Sequence, residues 1–321
     1  MDYIPIIREL TKQLSGVSML NDLIIKKILG NPHDSEERLK SFINAIRKQS
    51  GDTLIEQVEI LDPAIHPDVQ EDKVTFLDIK AKDSQGDWYN IEVQLCPQNY
   101  FISRIIYYGT QLHSSQLSKG NDYSLIRPTI CIVITDFTLF NQYPRAFHSF
   151  ALLSTNEPQM LLSNDLQFYF MEMSKMSEKQ LQTLNSDLSN WVQFLNFTQT
   201  SEDKMNSIMT NSPAFANTAA EVTHFVSGNR ALIEAQEKAR RDRVAQIEYA
   251  RDQGRAEGRA EELLNVIQTI VLHRFAVSLS DQVKVKLAQL DIRSLEEIMH
   301  SALVAASIEQ LEQTITDRAS K

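Results

Sequence analysis

Apolar residues recur at helical spacing through the first fifty positions. Asn21 and Asp22 can cap a helix that runs through Ile24, Ile25, Ile28 and Leu29 and stops at Gly30. A second helix follows, with Ser35 as its N-cap and Leu39, Phe42, Ile43 and Ile46 along one side. From Thr53 the pattern changes, and residues 54–61 read as a strand that ends at Asp62-Pro63. Residues 74–82 and 88–95 are strand-like. The cluster Asp83-Ser84-Gln85-Gly86-Asp87 between them is turn chemistry, so the two runs form a hairpin that Pro97 ends. Residues 101–117 read as a helix closed by Lys119-Gly120. The continuous apolar run at 129–135 suits a central strand covered on both faces. Residues 147–153 and 166–173 are two further short strands.

These elements predict an α/β domain over 1–200, a mixed sheet flanked by helices. Residues 201–229 are polar, with breaks at Asn211-Ser212-Pro213 and Gly228, and read as an irregular linker. Residues 230–321 read as an all-α C-terminal region. It opens with a charged helix over 230–262, whose balanced signs suit a solvated or self-associating helix rather than a DNA-binding one. Its near-repeat is Gly254-Arg255-Ala256-Glu257 and Gly258-Arg259-Ala260-Glu261. Leu263, Ile267, Ile270 and Val271, and then Leu295, Ile298, Met299 and Leu303, follow amphipathic spacing. Homo-oligomerisation through these C-terminal helices is the expectation.

Composition narrows the class. The chain has 321 residues and a formal net charge of −10, from 32 Lys and Arg against 42 Asp and Glu. Such a balance gives no global attraction for nucleic acid, although a local basic track is enough to meet phosphates. Cys96 and Cys131 have no Cys or His neighbour at zinc spacing. Two cysteines in a chain of this length fit a reducing compartment. No apolar run is long enough to span a membrane and the N-terminus is not a signal peptide, so the expected location is the cytoplasm.

The hairpin carries the chemistry. Side chains alternate faces along a strand. Tyr89, Ile91, Val93 and Leu95 point one way, and Asn90, Glu92 and Gln94 the other. On the first strand Leu77, Ile79 and Ala81 are apolar, with Asp78 and Lys80 opposite them. Gln85 is the midpoint both of the turn and of positions 78 and 92, so a symmetric hairpin sets Asp78 across from Glu92. Facing carboxylates repel unless a cation lies between them, and a hard cation such as Mg²⁺ suits two carboxylates and several waters. A hairpin face that is simply polar fits the same spacing.

Leu77-Asp78-Ile79-Lys80, a Gly-containing turn and Asn90-Ile91-Glu92-Val93-Gln94 resemble the PD-(D/E)XK nuclease signature. More narrowly, the chain resembles the recombination-promoting nuclease and putative transposase (Rpn) family. Asn21 to Gly30 is similar to that family's N-terminal Asp-x-x-Phe-Lys segment, with Ile25 where an aromatic is usual. Ser103-Arg104-Ile105-Ile106-Tyr107-Tyr108 and the tract at 116–123 are similar to its following helix and turn, and the Gly-Arg-Ala-Glu tract to its C-terminal part. The resemblance implies a restriction-endonuclease-like mixed sheet and Mg²⁺-dependent hydrolysis of DNA phosphodiester bonds, with Mn²⁺ as a second usable metal, linked to recombination or mobile elements. It makes Asp78 and Glu92 the metal-binding acids.

Gln94 stands where the signature has Lys. Glutamine can orient a water but carries no charge, so Lys80 is a candidate for the missing positive charge. Arg104, Tyr107 and Gln111 share a helix stripe and suit either phosphate contact or an ordinary helix surface. Asp22 and Lys26, one turn apart, suit an ion pair or a place in the active site. The competing reading of the whole chain is a catalytically inactive DNA-binding or protein-interaction module on the same fold.

Overall fold

The computed structural model describes residues 2–65, 75–117, 120 and 122–320. The chain begins with helices α1 (Ile4–Gln13), α2 (Asp22–Leu29) and α3 (Glu36–Ser50). Asn21 caps α2 as expected, its side chain accepting from the Leu23 N–H at 3.1 Å, and Gly30 ends it. Ser35 precedes α3 without capping it, because its hydroxyl donates instead to the Lys27 carbonyl at 3.0 Å.

Strands β1 (Val58–Leu61), β2 (Ala64–Ile65), β3 (Thr75–Phe76), β4 (Ile79–Asp83) and β5 (Trp88–Gln94) follow. The strand expected over 54–61 starts only at Val58. Asn44 accepts from the Ile55 N–H at 2.8 Å and donates to the Ile55 carbonyl at 2.9 Å, which removes both groups from any ladder. The strand expected over 74–82 divides into β3 and β4, and Val74 lies outside the described residues. At the break, the Leu77 N–H turns to the Pro63 carbonyl, 3.1 Å away, and the Asp78 N–H to a side chain.

Helix α4 (Phe101–Ser114) is a turn shorter than expected, and the stop assigned to Lys119 lies outside the described residues, as do Ser118 and Asn121. Next come β6 (Thr129–Thr135), buried at every position, β7 (Phe147–Leu153) and β8 (Leu161–Glu172), the last longer than its apolar run suggests. The main sheet has the order β1-β4-β5-β6-β8-β7. Its centre, β5-β6-β8, is parallel, and its flanks pair antiparallel. This is a restriction-endonuclease-like mixed sheet with helices on both faces.

One face carries Tyr89, Ile91, Ile130, Ile132 and Ile134 into the main core, with α1 to α3. The other carries Cys131, Val133, Phe168 and Phe170 against Phe101 and Ile105 of α4. Gly109 lets α4 approach: a Cβ there would lie 2.9 Å from the Cys131 sulfur.

Helices α5 (Glu178–Leu181), α6 (Ser186–Leu195), α7 (Glu202–Asn211) and α8 (Pro213–Gly228) come next. The irregular linker expected over 201–229 is therefore two helices. Ser201 caps α7 and Pro213 opens α8, so the polar break at 211–213 is a helix–helix junction. Met205, Ile208, Met209, Phe215, Val222 and Val226 are buried in the main core, which is why this stretch is ordered.

Helix α9 (Arg230–Phe275) outruns the charged tract, and α10 (Asp281–Ala288), α11 (Ile292–Val304) and α12 (Ile308–Ala319) complete the chain. Two compact units result, Met1–Arg241 and Asp242–Lys321. The second has its own core, including Ile267, Val271, Leu287, Ile298 and Leu311. Among the described residues no helix is long and apolar enough to cross a membrane.

Candidate active site

The β4–β5 hairpin is locked at its turn. Asp83 accepts from the N–H groups of Gln85 at 2.8 Å and Asp87 at 3.0 Å, and from the Tyr89 hydroxyl at 2.9 Å. Arg47 of α3 reaches Asp87 at 3.2 Å and the Tyr89 hydroxyl at 2.7 Å, tying the turn to the core. Gly86 takes φ +97°, a left-handed conformation that suits glycine. With the turn held, Ile79 faces Ile91 and Lys80 faces Asn90.

One step beyond that ladder come Asp78 and Glu92. The Asp78 N–H donates to Glu92 Oε1 at 3.2 Å, and the Val93 N–H donates to Asp78 Oδ2 at 2.9 Å. Each carboxylate thus accepts from the strand that carries the other. The facing arrangement read from the spacing is present, with side chains replacing the ladder bonds.

The pair is buried, Glu92 being 5% exposed. Burial pushes the Glu92 carboxyl well above the usual range. Asp78 adds repulsion, and the bond from the Asp78 N–H and the Arg104 charge oppose it. Asp78 is raised as well, first by burial. The Val93 N–H pulls it down, Asp22 pushes it up, and Lys26 and Arg104 pull it down. Asp22 and Lys26 form an ion pair of 2.9 Å at the start of α2 and also lie within electrostatic reach of Asp78.

Gln94 continues the row. Its Nε2 donates to the Cys96 carbonyl at 2.8 Å, and its Oε1 accepts from Arg104 Nη2 at 2.6 Å. Arg104 also binds Gln98 Oε1, and its guanidinium lies 5.2 Å from the Phe101 ring centre and 5.9 Å from that of Tyr108. Lys80 shares the face, but its ammonium donates to the Ala64 carbonyl at 3.1 Å and sits near Asp62 and the Trp88 ring. Tyr107 is exposed on α4, and Gln111, one turn on, joins none of these hydrogen bonds.

The sequence assigns no site role to three neighbours. Tyr108 lies close enough for both acids and Arg104 to act on its hydroxyl. Asn90 is fully buried behind Glu92, and its amide makes no hydrogen bond of regular geometry. Glu237, on the charged helix α9, is 1% exposed and accepts from Asn21 Nδ2 at 3.0 Å and Arg240 at 2.9 Å. It thereby braces the cap of α2, the helix that presents Asp22 and Lys26. The alternation on β5 sets Asn90 on the polar face with Glu92 but does not reveal its burial. Nothing in the pattern of a balanced, polar helix marks Glu237.

Among the described residues no group of three or more His, Cys, Asp or Glu side chains gathers to hold a metal. The donor set at the hairpin is two buried carboxyls whose mutual repulsion is only partly offset. Two hard oxygen donors fit a small hard cation that keeps part of its hydration shell. They do not fit a soft or zinc-like site.

Comparison with known families finds one match, to the PD-(D/E)XK nuclease family transposase, over residues 19–250. That span includes the hairpin, α2, α4 and the first turns of α9. No curated protein and no solved structure matches the chain.

Proposed function

The chain belongs to the PD-(D/E)XK nuclease family transposases, and from that premise we propose that it is a Mg²⁺-dependent DNA endonuclease with Asp78 and Glu92 as its metal-binding acids. Mn²⁺ is a second usable metal. The observation that carries this reading is the buried, mutually repelling carboxyl pair at the end of the hairpin. A divalent cation bound there supplies Lewis-acid stabilisation of charge on a phosphoryl oxygen.

The chain's own groups do the rest. Gln94 is held at both ends, yet its oxygen has a second lone pair and its nitrogen a second proton. Either can orient the attacking water. Arg104 supplies the fixed positive charge that Gln94 cannot, beside both acids and Gln94. This favours Arg104 over Lys80, whose ammonium the Ala64 carbonyl engages. Lys26 is placed to contact a phosphate, and Asp22 keeps it oriented.

The transposase part of the family description suits cleavage linked to recombination or mobile elements, acting in the cytoplasm. We also assign self-association to the C-terminal helices. Leu272, Val285, Leu303 and Val304 are exposed on the second unit, and apolar surface of that kind suits a like surface.

Nicking of supercoiled plasmid tests the activity. Cleavage should require Mg²⁺, stop with chelator and be lost in Asp78→Ala and Glu92→Ala. Cleavage that survives both substitutions would place the activity elsewhere.

A further inference from the structure

We propose that Tyr100, at the entry to α4, and Tyr107, on α4, flank Arg104 and form a stacking subsite for unpaired nucleobases, so that the preferred substrate is DNA with a single-stranded segment beside the scissile phosphate. This rests on reading the hairpin acids as a phosphodiester-cleaving site.

Arg104 and Tyr107 are three residues apart on α4 and share a face, and Tyr100 immediately precedes the first turn of that helix. At 1.5 Å per residue the two tyrosines stand about 10 Å apart along the helix, the length of roughly three nucleotides of a stacked strand. Tyr100 is 85% exposed and Tyr107 48% exposed. The stripe is continuous with the acids, since Arg104 Nη2 lies 2.6 Å from Gln94 Oε1 and its charge acts on both Asp78 and Glu92.

Tyr100 is held in an unusual conformation. It takes φ 60° and ψ 21°, the left-handed region that a bulky residue seldom adopts, and its carbonyl accepts the Arg104 N–H at 3.0 Å. An exposed aromatic ring held in strained backbone, in the loop that leaves the active-site strand, is the kind of position where strain serves a ligand.

Charge selects the class of partner. Between Glu92 and Asp122 the sequence contains no Asp or Glu, in a chain with 42 of them. The segment that carries both tyrosines and Arg104 therefore adds no carboxylate of its own beside the acids, which suits a polyanion, and its tyrosine rings suit bases whose faces are free. Bases within a duplex are already stacked on one another and offer only their edges.

Fluorescence anisotropy tests this with the full chain in EDTA, using a fluorescein-labelled oligo-dT and a duplex of equal length. Wild type should bind oligo-dT more tightly than duplex. Tyr100→Ala and Tyr107→Ala should each weaken oligo-dT binding about tenfold while duplex binding stays within about twofold, the range expected of one lost base–aromatic stack. Tyr100→Phe and Tyr107→Phe should bind as wild type. Absent oligo-dT binding, unchanged binding in both alanine variants, or equal weakening on both ligands would overturn the subsite. The two readings separate cleanly. Tyrosine-dependent oligo-dT binding by a protein that cuts nothing with Mg²⁺ would uphold the subsite and reject the nuclease. Asp78-dependent nicking with tyrosine-independent binding would do the reverse.

Discussion

Asp78 and Glu92 close the hairpin by exchanging bonds with each other's strand, the Asp78 N–H on the Glu92 carboxylate and the Val93 N–H on the Asp78 carboxylate. The two acids are therefore structural acceptors and an electrostatic liability together. Their folded-state pKa values lie above the ordinary carboxylate range, chiefly through burial. A raised pKa means that the folded state holds the proton more tightly than the unfolded state. The pair's contribution is intact below the ordinary carboxylate pKa and is lost as pH rises through the raised values. In metal-free protein, Glu92→Gln keeps an accepting oxygen and removes the charge. It should raise Tm by about 2–4 °C per kcal/mol gained at pH 8 and change little at pH 4. Thermal scans at the two pH values check this, and equal shifts at both would contradict it.

Metal should reverse that order. A divalent cation that binds the folded pair stabilises wild type by mass action. Mn²⁺ or Mg²⁺ should raise the wild-type Tm and leave Asp78→Asn and Glu92→Gln unmoved. Calorimetric titration provides the second readout, and equal binding by wild type and both variants would remove the pair as the ligand set.

Gln94 and Arg104 form the next unit. Arg104→Ala should lower cleavage by about 10²–10³, by analogy with the loss of one charge-stabilising donor. It should leave metal affinity equal or tighter, because a cation beside the acids is gone. Gln94→Lys alone restores the family-wide residue, yet its ammonium would meet the Arg104 guanidinium. We expect it to lower both Tm and cleavage, with Gln94→Lys/Arg104→Gln recovering activity. Higher activity in the single variant than in the double would show that the two side chains do not share the site.

Glu172 gives a pH-dependent control outside the site. Its carboxylate is 0% exposed and accepts from Lys175 at 2.6 Å, His148 at 3.1 Å and the Phe140 N–H at 3.0 Å. Although burial pushes its pKa up, the Lys175 bond and the backbone N–H groups outweigh that and hold it below the ordinary value. A depressed pKa contributes stability above the ordinary carboxylate pKa, lost as pH falls through the depressed one. Glu172→Ala should cost about 3–5 kcal/mol near pH 7, as for a broken buried pair, and much less at acid pH. Denaturant melts across the range test it.

Truncation separates the units. Ile233 is fully buried in the main core and Glu237 binds Asn21, so a chain ending at residue 228 loses both. It should unfold at lower temperature, since losing a buried Ile alone costs about 2–5 kcal/mol. A chain ending at residue 241 should keep the stability of the first unit. Light scattering on that longer truncation, compared with full length, should show a smaller assembly if the C-terminal helices associate. Equal size would remove them as the interface.

Much of this protein is written locally. The caps of α2, the apolar run of β6 and the turn at Asp83–Asp87 are short-range patterns, and each forms where its residues predict. The facing of Asp78 and Glu92 follows from the same turn, because a hairpin's register is set by its loop. What sequence alone could not settle depends on distant partners. The stretch at 201–229 is helical because Met205, Phe215 and Val222 find a core built by residues far earlier in the chain. The sequence offers Lys80 for the missing positive charge, and only packing decides that Lys80 turns to Ala64 while Arg104 meets Gln94. Glu237 braces the cap of α2 across 216 positions of sequence. Pattern records the period of an element, whereas a side chain's partner depends on which surfaces the folded chain presses together.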